Sequence, residues 1–424
     1  MKLVIKGGRV IDPQSQLDAI MDVFVAAGKI VGMGTVPVGF HANREINAKD
    51  LVVCPGLVDL SARLREPGFE YKATLESEME AAVAGGITSL ACSPDTDPPL
   101  DEPGLVEMLK HRAKGLNQAH VYPIGALTQG LKGERLTEMA ELRDAGCVAF
   151  GQSDMPFTNA RVMMHAMQYA STFGFGVWLR PQDASLANGG VAHDGEVATR
   201  LGLPAISVCA ETVALSNIIL MARETGATVH LCRISSAEGV AMVRAARQQG
   251  LPVTCDVAAN HMHLSEMDIG FFDSNCHLVP PLRGLSDRNA LRAGLLDGTI
   301  DAVCSDHTPV DEDAKLLPFG EAEAGATGLE LLLPLTLKWA AEMRIPLVAA
   351  LAKVTMEPAR ILGIDAGHLS PGAAADLCIF DPDQYWKVEA AALKSQGKNT
   401  PFLDMELQGK VKYTLVNGNI VNQG

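Results

Sequence analysis

Arginine recurs in this chain where an apolar run gives way to polar residues. The runs end in Ser61-Ala62-Arg63-Leu64-Arg65, Ser93-Pro94-Asp95, Gln152-Ser153-Asp154, Arg180, Arg233 and Ser305-Asp306-His307. A guanidinium stays protonated, carries five N–H donors and has no lone pair for a metal. Brought together, these residues make a cationic cluster with one clear acid, Asp306, which favours anions and repels a divalent cation. Strand alternation sends Ser61, Arg63 and Arg65 to one side and Leu60, Ala62 and Leu64 to the other. The polar set is therefore expected to face a common space.

The elements that position these residues repeat along the chain. Apolar strand candidates occur at LVVCPGLVDL (51–60), ITSLACS (87–93), HVYPIGAL (120–127), CVAFG (147–151), FGVWLR (175–180), TVHLCRI (228–234), PVTCDVA (252–258) and DAVCSD (301–306). Helix-like segments separate most of them; NARVMMHAMQYASTFG (159–174) and EGVAMVRAARQQG (238–250) each end on a glycine, which suits a left-handed cap. Eight such strands over roughly 310 residues favour a (β/α)8 barrel over an open doubly wound sheet. No GxGxxG or P-loop follows the early strands. In such a barrel the strand ends listed above share the C-terminal mouth. The segment 181–205 reads as a long loop on that side.

Both ends of the chain differ from the middle. LVIKGGRVID, MDVFVAAGKIVGMG and REINAKDLVV alternate β-branched residues with glycine punctuation, as do ADLCIFDPD and MELQGKVKYTLVNGNIV near the other end, with an Asn-Gly turn at 417–418. The expected organisation is a small β-sandwich from 1–54 and 369–424 around a barrel at 55–368.

Of the 424 residues, 47% are hydrophobic and 20% charged, enough for a large core. A net charge of −15 argues against a general nucleic-acid or anionic-membrane binder. Gly7 and Gly8 interrupt the first apolar run, so no secretory segment is expected, and no run elsewhere reaches membrane-spanning length. The nine cysteines mostly sit singly within apolar runs and read as small core residues in a reducing cytosol.

PGLVDLSARLREPG (55–68) resembles the first-strand motif of dihydroorotases and related cyclic amidohydrolases, where H-x-H-L-R-E-P-G supplies two metal-binding histidines. AAVAGGITSLACSPDTDP resembles that family's helix end and M-P-N-T-x-P loop, VPPLRGLSDRNAL its N-P-P-L-R segment, and SDHTP its D-H-A-P. GATGLELLLP and SQGKNTPF…VNGNIV also match, so the resemblance spans essentially the whole chain. It implies a zinc-dependent dihydroorotate hydrolysis site, which needs imidazoles and carboxylates around an open metal position.

Carried over residue by residue, that ligand set is nearly gone. The first-strand histidines fall on Ser61 and Arg63, the fourth-strand aspartate on Ser153 with Asp154 one place late, and the next two histidines on Arg180 and Arg233. Only Asp306, ligand and general base in the family, persists. Of the substrate pocket, Arg65 remains where the family grips a substrate carboxylate. Asp95 and Val279 replace asparagines, and Val310 replaces a histidine. Aspartate at 95 is expected to repel a carboxylate. His230 reads as a packing histidine; His261 and His263, where the family has P-H-H-L, read as a solvated loop pair with a substrate-pocket alternative.

The arginines suggest a physical substitution. Arg63, Arg180 or Arg233 could bridge Asp306, Asp183 or Asp154 by forked hydrogen bonds and plug the barrel without metal. Alternatively they are solvated in an abandoned pocket, or they bind phosphate or a carboxylate metabolite. The resemblance is closest to non-catalytic dihydroorotase-like subunits of bacterial aspartate carbamoyltransferase complexes. It implies an inactive, cofactor-free cytoplasmic assembly subunit for the carbamoyltransferase catalytic chain, itself a homodimer. A divergent active zinc dihydroorotase and an anion-sensing pseudoenzyme are the alternatives.

Overall fold

The computed structural model describes residues 2–424. Five strands come first: Lys2–Asp12 (β1), Leu17–Ala26 (β2), Lys29–Met33 (β3), Arg44–Asn47 (β4) and Val52–Pro55 (β5). Three more come near the other end: Leu377–Lys387 (β16), Glu406–Val416 (β17) and Asn419–Gln423 (β18). All eight belong to one sheet, ordered β18-β17-β16-β5-β1-β2-β3, with β4 beside β1. The sheet encloses its own apolar cluster, including Leu3, Ile5, Val23, Ile30, Val53, Ile379 and Leu415. The register between β1 and β2 shifts between Ile5 and Gly8, and a Cβ on Gly8 would lie 2.6 Å from the Val53 side chain. Glycine at that bulge lets β5 approach. Asn417 and Gly418, at φ 47° and 71°, form the tight turn between β17 and β18 that the Asn-Gly pair signals.

The LVVCPGLVDL run does not form one strand. It divides at Gly56 into β5 of the sheet and Leu57–Ala62 (β6), the first barrel strand. The barrel continues through Ile87–Cys92 (β7), His120–Ala126 (β8), Ala149–Gly151 (β9), Val177–Leu179 (β10), Val229–Leu231 (β13), Val253–Ala258 (β14) and Ala302–Cys304 (β15). These eight are paired in parallel in that order, and the ring closes where Arg63 N–H donates to the His307 carbonyl at 2.9 Å and His307 N–H to Ser61 at 3.0 Å. Asp59 reinforces the closure by accepting from the Ser305 N–H at 2.7 Å and from its hydroxyl at 2.5 Å.

Val58, Leu60, Ile124, Trp178 and Ala302 fill the barrel interior, while a larger apolar layer lies between strands and helices. The helix Ala160–Phe173 is capped by Asn159 and ends at Gly174 with φ 69°. The helix Ala237–Gln248 stops two residues before Gly250, which has φ 78°. No helix among the described residues is long and apolar enough to cross a membrane.

The expectation of a plain loop at 181–205 is corrected. Two short helices, Ala184–Ala187 and Glu196–Leu201, and a parallel ribbon of Ala192–His193 (β11) with Ala205–Ile206 (β12) occupy it. The ribbon is pinned by Arg283, which donates to the Ile206 carbonyl at 2.7 Å. Inside the C-terminal range, residues 388–404 leave the sheet and pack on the barrel. Glu78 accepts from the Ser395 hydroxyl at 2.7 Å and Gln396 N–H at 3.0 Å, while Asn399 donates to the Thr308 and Gly325 carbonyls at 3.0 and 2.9 Å.

Candidate functional site: an arginine–aspartate cluster in the barrel mouth

Backbone irregularity, more than alternation, delivers the polar side chains. Asp59 pairs with Leu90 but Ala62 with Cys92, so β6 carries an extra residue there. The phase therefore changes. Leu60, expected opposite Ser61, borders the same interior crevice as Ser61 and Arg63. Four mouth residues take a left-handed backbone: Arg65 (φ 64°), Ser153 (53°), Arg233 (55°) and Asp306 (50°). For non-glycine residues this conformation costs roughly 1–2 kcal/mol each, which surrounding contacts must offset.

Those contacts are ionic. Arg63 donates from Nε to Asp95 at 2.7 Å, from Nη1 to the Thr308 hydroxyl at 2.9 Å, and from Nη2 to Asp154 and, at 3.4 Å, to Ser153. Arg233 donates from Nη1 to Asp306 at 2.7 Å and to the Val279 carbonyl at 3.1 Å, and from Nη2 to Asp154. Arg180 donates from Nε to the Asp154 carboxylate, from Nη2 to its backbone carbonyl at 3.2 Å, and from Nη1 to Gln182. Asp154 thus receives three guanidinium groups, and three positive charges meet the three negative charges of Asp95, Asp154 and Asp306. Ser61 donates to Asp306 at 3.4 Å, and the Ser93 and Ser153 hydroxyls lie 2.9 Å apart.

Proton affinities follow the packing. Burial pushes the Asp154 carboxyl up, but Arg233, Arg63 and Arg180 together outweigh burial and hold it far below the usual carboxylate range. Asp95 is likewise lowered, the Arg63 charge overcoming burial. Asp306 is raised, because its burial exceeds the opposing pull of Arg233 and Arg63. Arg63 and Arg233 are raised despite burial by their carboxylate neighbours, whereas burial lowers Arg180.

A zinc ion does not fit these residues. Three guanidiniums occupy the space where imidazoles would be needed, and the carboxylate lone pairs already accept from arginine. Among the described residues no His, Cys, Asp or Glu side chains are grouped to hold a metal.

A cavity of about 350 Å³ remains above the cluster, lined by Arg63, Arg65, Asp154, Arg180, Val279, Asp306, Thr308 and Glu323 among others. Gly325 also lines it, at φ 131°, and a Cβ there would lie 2.3 Å from the Thr308 side chain. Arg65 is buried, with Nε donating to the Pro309 carbonyl at 2.9 Å and Nη2 3.9 Å from Glu323; burial and then Arg63 lower its proton affinity.

Several expectations need correction. Asp95 sits behind the cavity, paired to Arg63, so it neutralises a guanidinium instead of confronting a ligand. Asp183 takes no part in the cluster; it caps Ala184–Ala187, accepting from Ser185 and Leu186 N–H at 3.0 Å. Val310 is buried away from the cavity, its N–H bonded to Asn399 at 3.0 Å.

His261 and His263 are not solvated. His261 Nε2 donates toward the Pro280 and Pro281 carbonyls at 3.1 and 3.3 Å, His263 Nε2 to Leu335 at 2.8 Å, and burial lowers both to about 4. His261 therefore does not face the mouth. His230 is buried under Trp178, with Nε2 3.0 Å from Asp256 and Nδ1 2.9 Å from Thr254. Seven of the nine cysteines are buried and all nine are free.

Thr308, Gln182, Asp59 and Asp256 complete the mouth and its support without having been singled out. The two aspartates interrupt the apolar runs LVDL and TCDVA, a signal available in the sequence.

A family model described as Dihydro-orotase-like matches residues 50–239. A Dihydroorotase-like protein of Pseudomonas aeruginosa is 45% identical over 424 residues, covering 100% of each chain. A Dihydroorotase of Geobacter sp. (strain M21) is 40% identical over 423 residues, again 100% of each. Among solved structures, an L-hydantoinase (dihydropyrimidinase) from Arthrobacter aurescens superposes with a TM-score of 0.89 at 24% identity, covering 99% of this chain and 96% of that one. A D-hydantoinase gives 0.87 at 20% identity, covering 100% and 95%. These superpositions establish the shared barrel-plus-β-domain fold.

Proposed function

The chain belongs to the dihydroorotase-like family, and we propose that it is a member without hydrolytic chemistry, a structural subunit in cytoplasmic pyrimidine synthesis. The arginine–aspartate cluster carries this reading. Cyclic-amide hydrolysis in this family needs a metal to activate water or polarise the carbonyl. Here Arg63, Arg180 and Arg233 stand at three ligand positions and their charges are spent on Asp95, Asp154 and Asp306. Asp306, the family's base, accepts from Arg233 and Ser61, so its oxygen lone pairs are engaged by protein donors. The cluster works as a plug: it neutralises the acid that the lost metal would have paired and ties six strand ends together.

A barrel kept without chemistry is kept for its contacts. The partner we assign is the aspartate carbamoyltransferase catalytic chain, bound by a homodimer of this protein. The ligand losses support that assignment, since they resemble those of non-catalytic dihydroorotase-like subunits in such assemblies. Co-expression with the same organism's catalytic chain, followed by mass measurement of the purified complex, tests it. A stable mixed complex is expected; two separately eluting proteins would overturn it.

One observation favours a second reading. Arg65 lines the cavity with only Nε hydrogen-bonded, its Nη2 lying 3.9 Å from Glu323, which leaves guanidinium N–H groups without a hydrogen-bond partner. An anion sensor would raise its melting temperature with phosphate or carbamoyl aspartate, and Arg65→Gln would abolish the rise.

A further inference from the structure

The loops that follow β14 and β15 carry an unusual surface. Phe271 is 92% exposed and Leu316 77%, with Met267, Leu317 and Phe272 also open to solvent. The two loops are tied to each other: the Ser274 hydroxyl donates to the Lys315 carbonyl at 2.6 Å and Lys315 Nζ to the Ser274 carbonyl at 2.9 Å. The Phe271 and Phe272 rings meet edge to face, with centroids 5.6 Å apart. Five large apolar side chains on two joined loops form an apolar patch beside the mouth, larger in kind than singly scattered exposed residues.

The charge around it is one-sided. Residues 266–276 and 311–323 contain Glu266, Asp268, Asp273, Asp311, Glu312, Asp313, Glu321 and Glu323. Their single basic residue is Lys315, which is buried with its ammonium turned to Ser274; of the acids, Glu323 is paired by Lys72 and Arg65 from the segment after β6, and the other seven carry the rim charge. A second copy of the same patch would bring like charges together, and an anionic membrane would be repelled. The complementary occupant is a protein face with an apolar centre and a rim of lysine or arginine.

We infer that this acidic-rimmed patch, built from Met267, Phe271, Phe272, Leu316 and Leu317, is the docking surface for a basic-rimmed apolar face of the partner protein. The inference rests on the assembly-subunit reading and specifies where the carbamoyltransferase catalytic chain attaches.

The test uses the full chain against that catalytic chain from the same organism, by calorimetric titration. The double variant Phe271→Asp/Leu316→Asp is expected to weaken binding at least about tenfold while its melting temperature stays that of wild type. Ile20→Asp, an equally exposed position on the β-sheet domain, is expected to bind like wild type. Wild-type binding is also expected to weaken as salt is raised. Equal binding by the double variant overturns the patch but leaves the assembly reading standing. A wild-type dimer that the double variant dissolves also overturns it, because the occupant is then a second copy. Absence of any wild-type binding overturns both together.

Discussion

Replacing Asp154 by asparagine keeps the side-chain shape and removes one negative charge from a cluster balanced at three against three. Arg63 donates to one carboxylate oxygen and Arg180 and Arg233 to the other, so the asparagine amide keeps one acceptor, turns an N–H toward a guanidinium on the other side, and removes the charge that all three share. Breaking a buried ion pair from one side costs about 3–5 kcal/mol. Asp154 retains 29% side-chain exposure, so water screens part of the loss and the low end, about 3 kcal/mol, is expected. Unfolding 424 residues together carries an entropy of about 0.9 kcal/mol per degree, which converts the loss to a fall of about 3 °C. Differential scanning fluorimetry at pH 7 and low salt reads this directly. Adding Arg180→Met to Asp154→Asn rebalances the charge, and the pair should cost less than the sum of the single changes by about 1 kcal/mol or more. A melting temperature unchanged by Asp154→Asn would refute the reasoning, because the guanidiniums would then be independently solvated.

Arg63→Lys puts a point charge where a fork reaches Asp95, Thr308 and Asp154, and is expected to cost about 2–3 kcal/mol in denaturant unfolding. Asp183→Ala removes only a short helix's cap, so about 1 kcal/mol of local loss and an intact cluster are expected by hydrogen exchange. The buried histidines give a pH signature. His261 is lowered by burial from 6.5 to about 4, so the unfolded chain binds a proton in that window and the folded chain does not. Its contribution is complete above pH 6.5 and falls by about 3 kcal/mol as pH drops to 4. Asp59, raised by burial to about 6, acts in the opposite sense, so the comparison must be differential. The stability deficit of His261→Gln relative to wild type should shrink between pH 6.5 and 4; a deficit constant with pH would contradict the burial of a neutral imidazole.

The barrel was legible because parallel strands buried on both faces read as apolar runs, and their polar ends mark one rim. The arginines and Asp306 were legible for the same reason. The geometry joining them was not. The extra residue in β6 leaves no trace in composition, and left-handed φ at Arg65, Ser153, Arg233 and Asp306 has no side-chain signature as it would for glycine. That conformation at Ser153 turns the following Asp154 into the cluster, so the carboxylate sits one position after the aligned site. Asp183 looked equivalent to Asp154 in sequence, yet it precedes a helix and its oxygens go to backbone N–H groups. His261 and His263 looked exposed because polar neighbours surround them in ANHMHLS; a short helix buries both against carbonyls contributed from residues 280, 281 and 335. Likewise, nothing local announces that Glu78 joins His307 to the C-terminal segment at Ser395, a contact made across more than two hundred residues of chain.

The proposed replacement of a metal centre by guanidinium groups is open to direct test. Its most direct measurement is zinc content of protein expressed with zinc and purified without chelator, paired with dihydroorotate hydrolysis by the same sample. Zinc well below stoichiometric and turnover no faster than the uncatalysed reaction are predicted. Stoichiometric zinc with turnover that disappears in Asp306→Ala would contradict it.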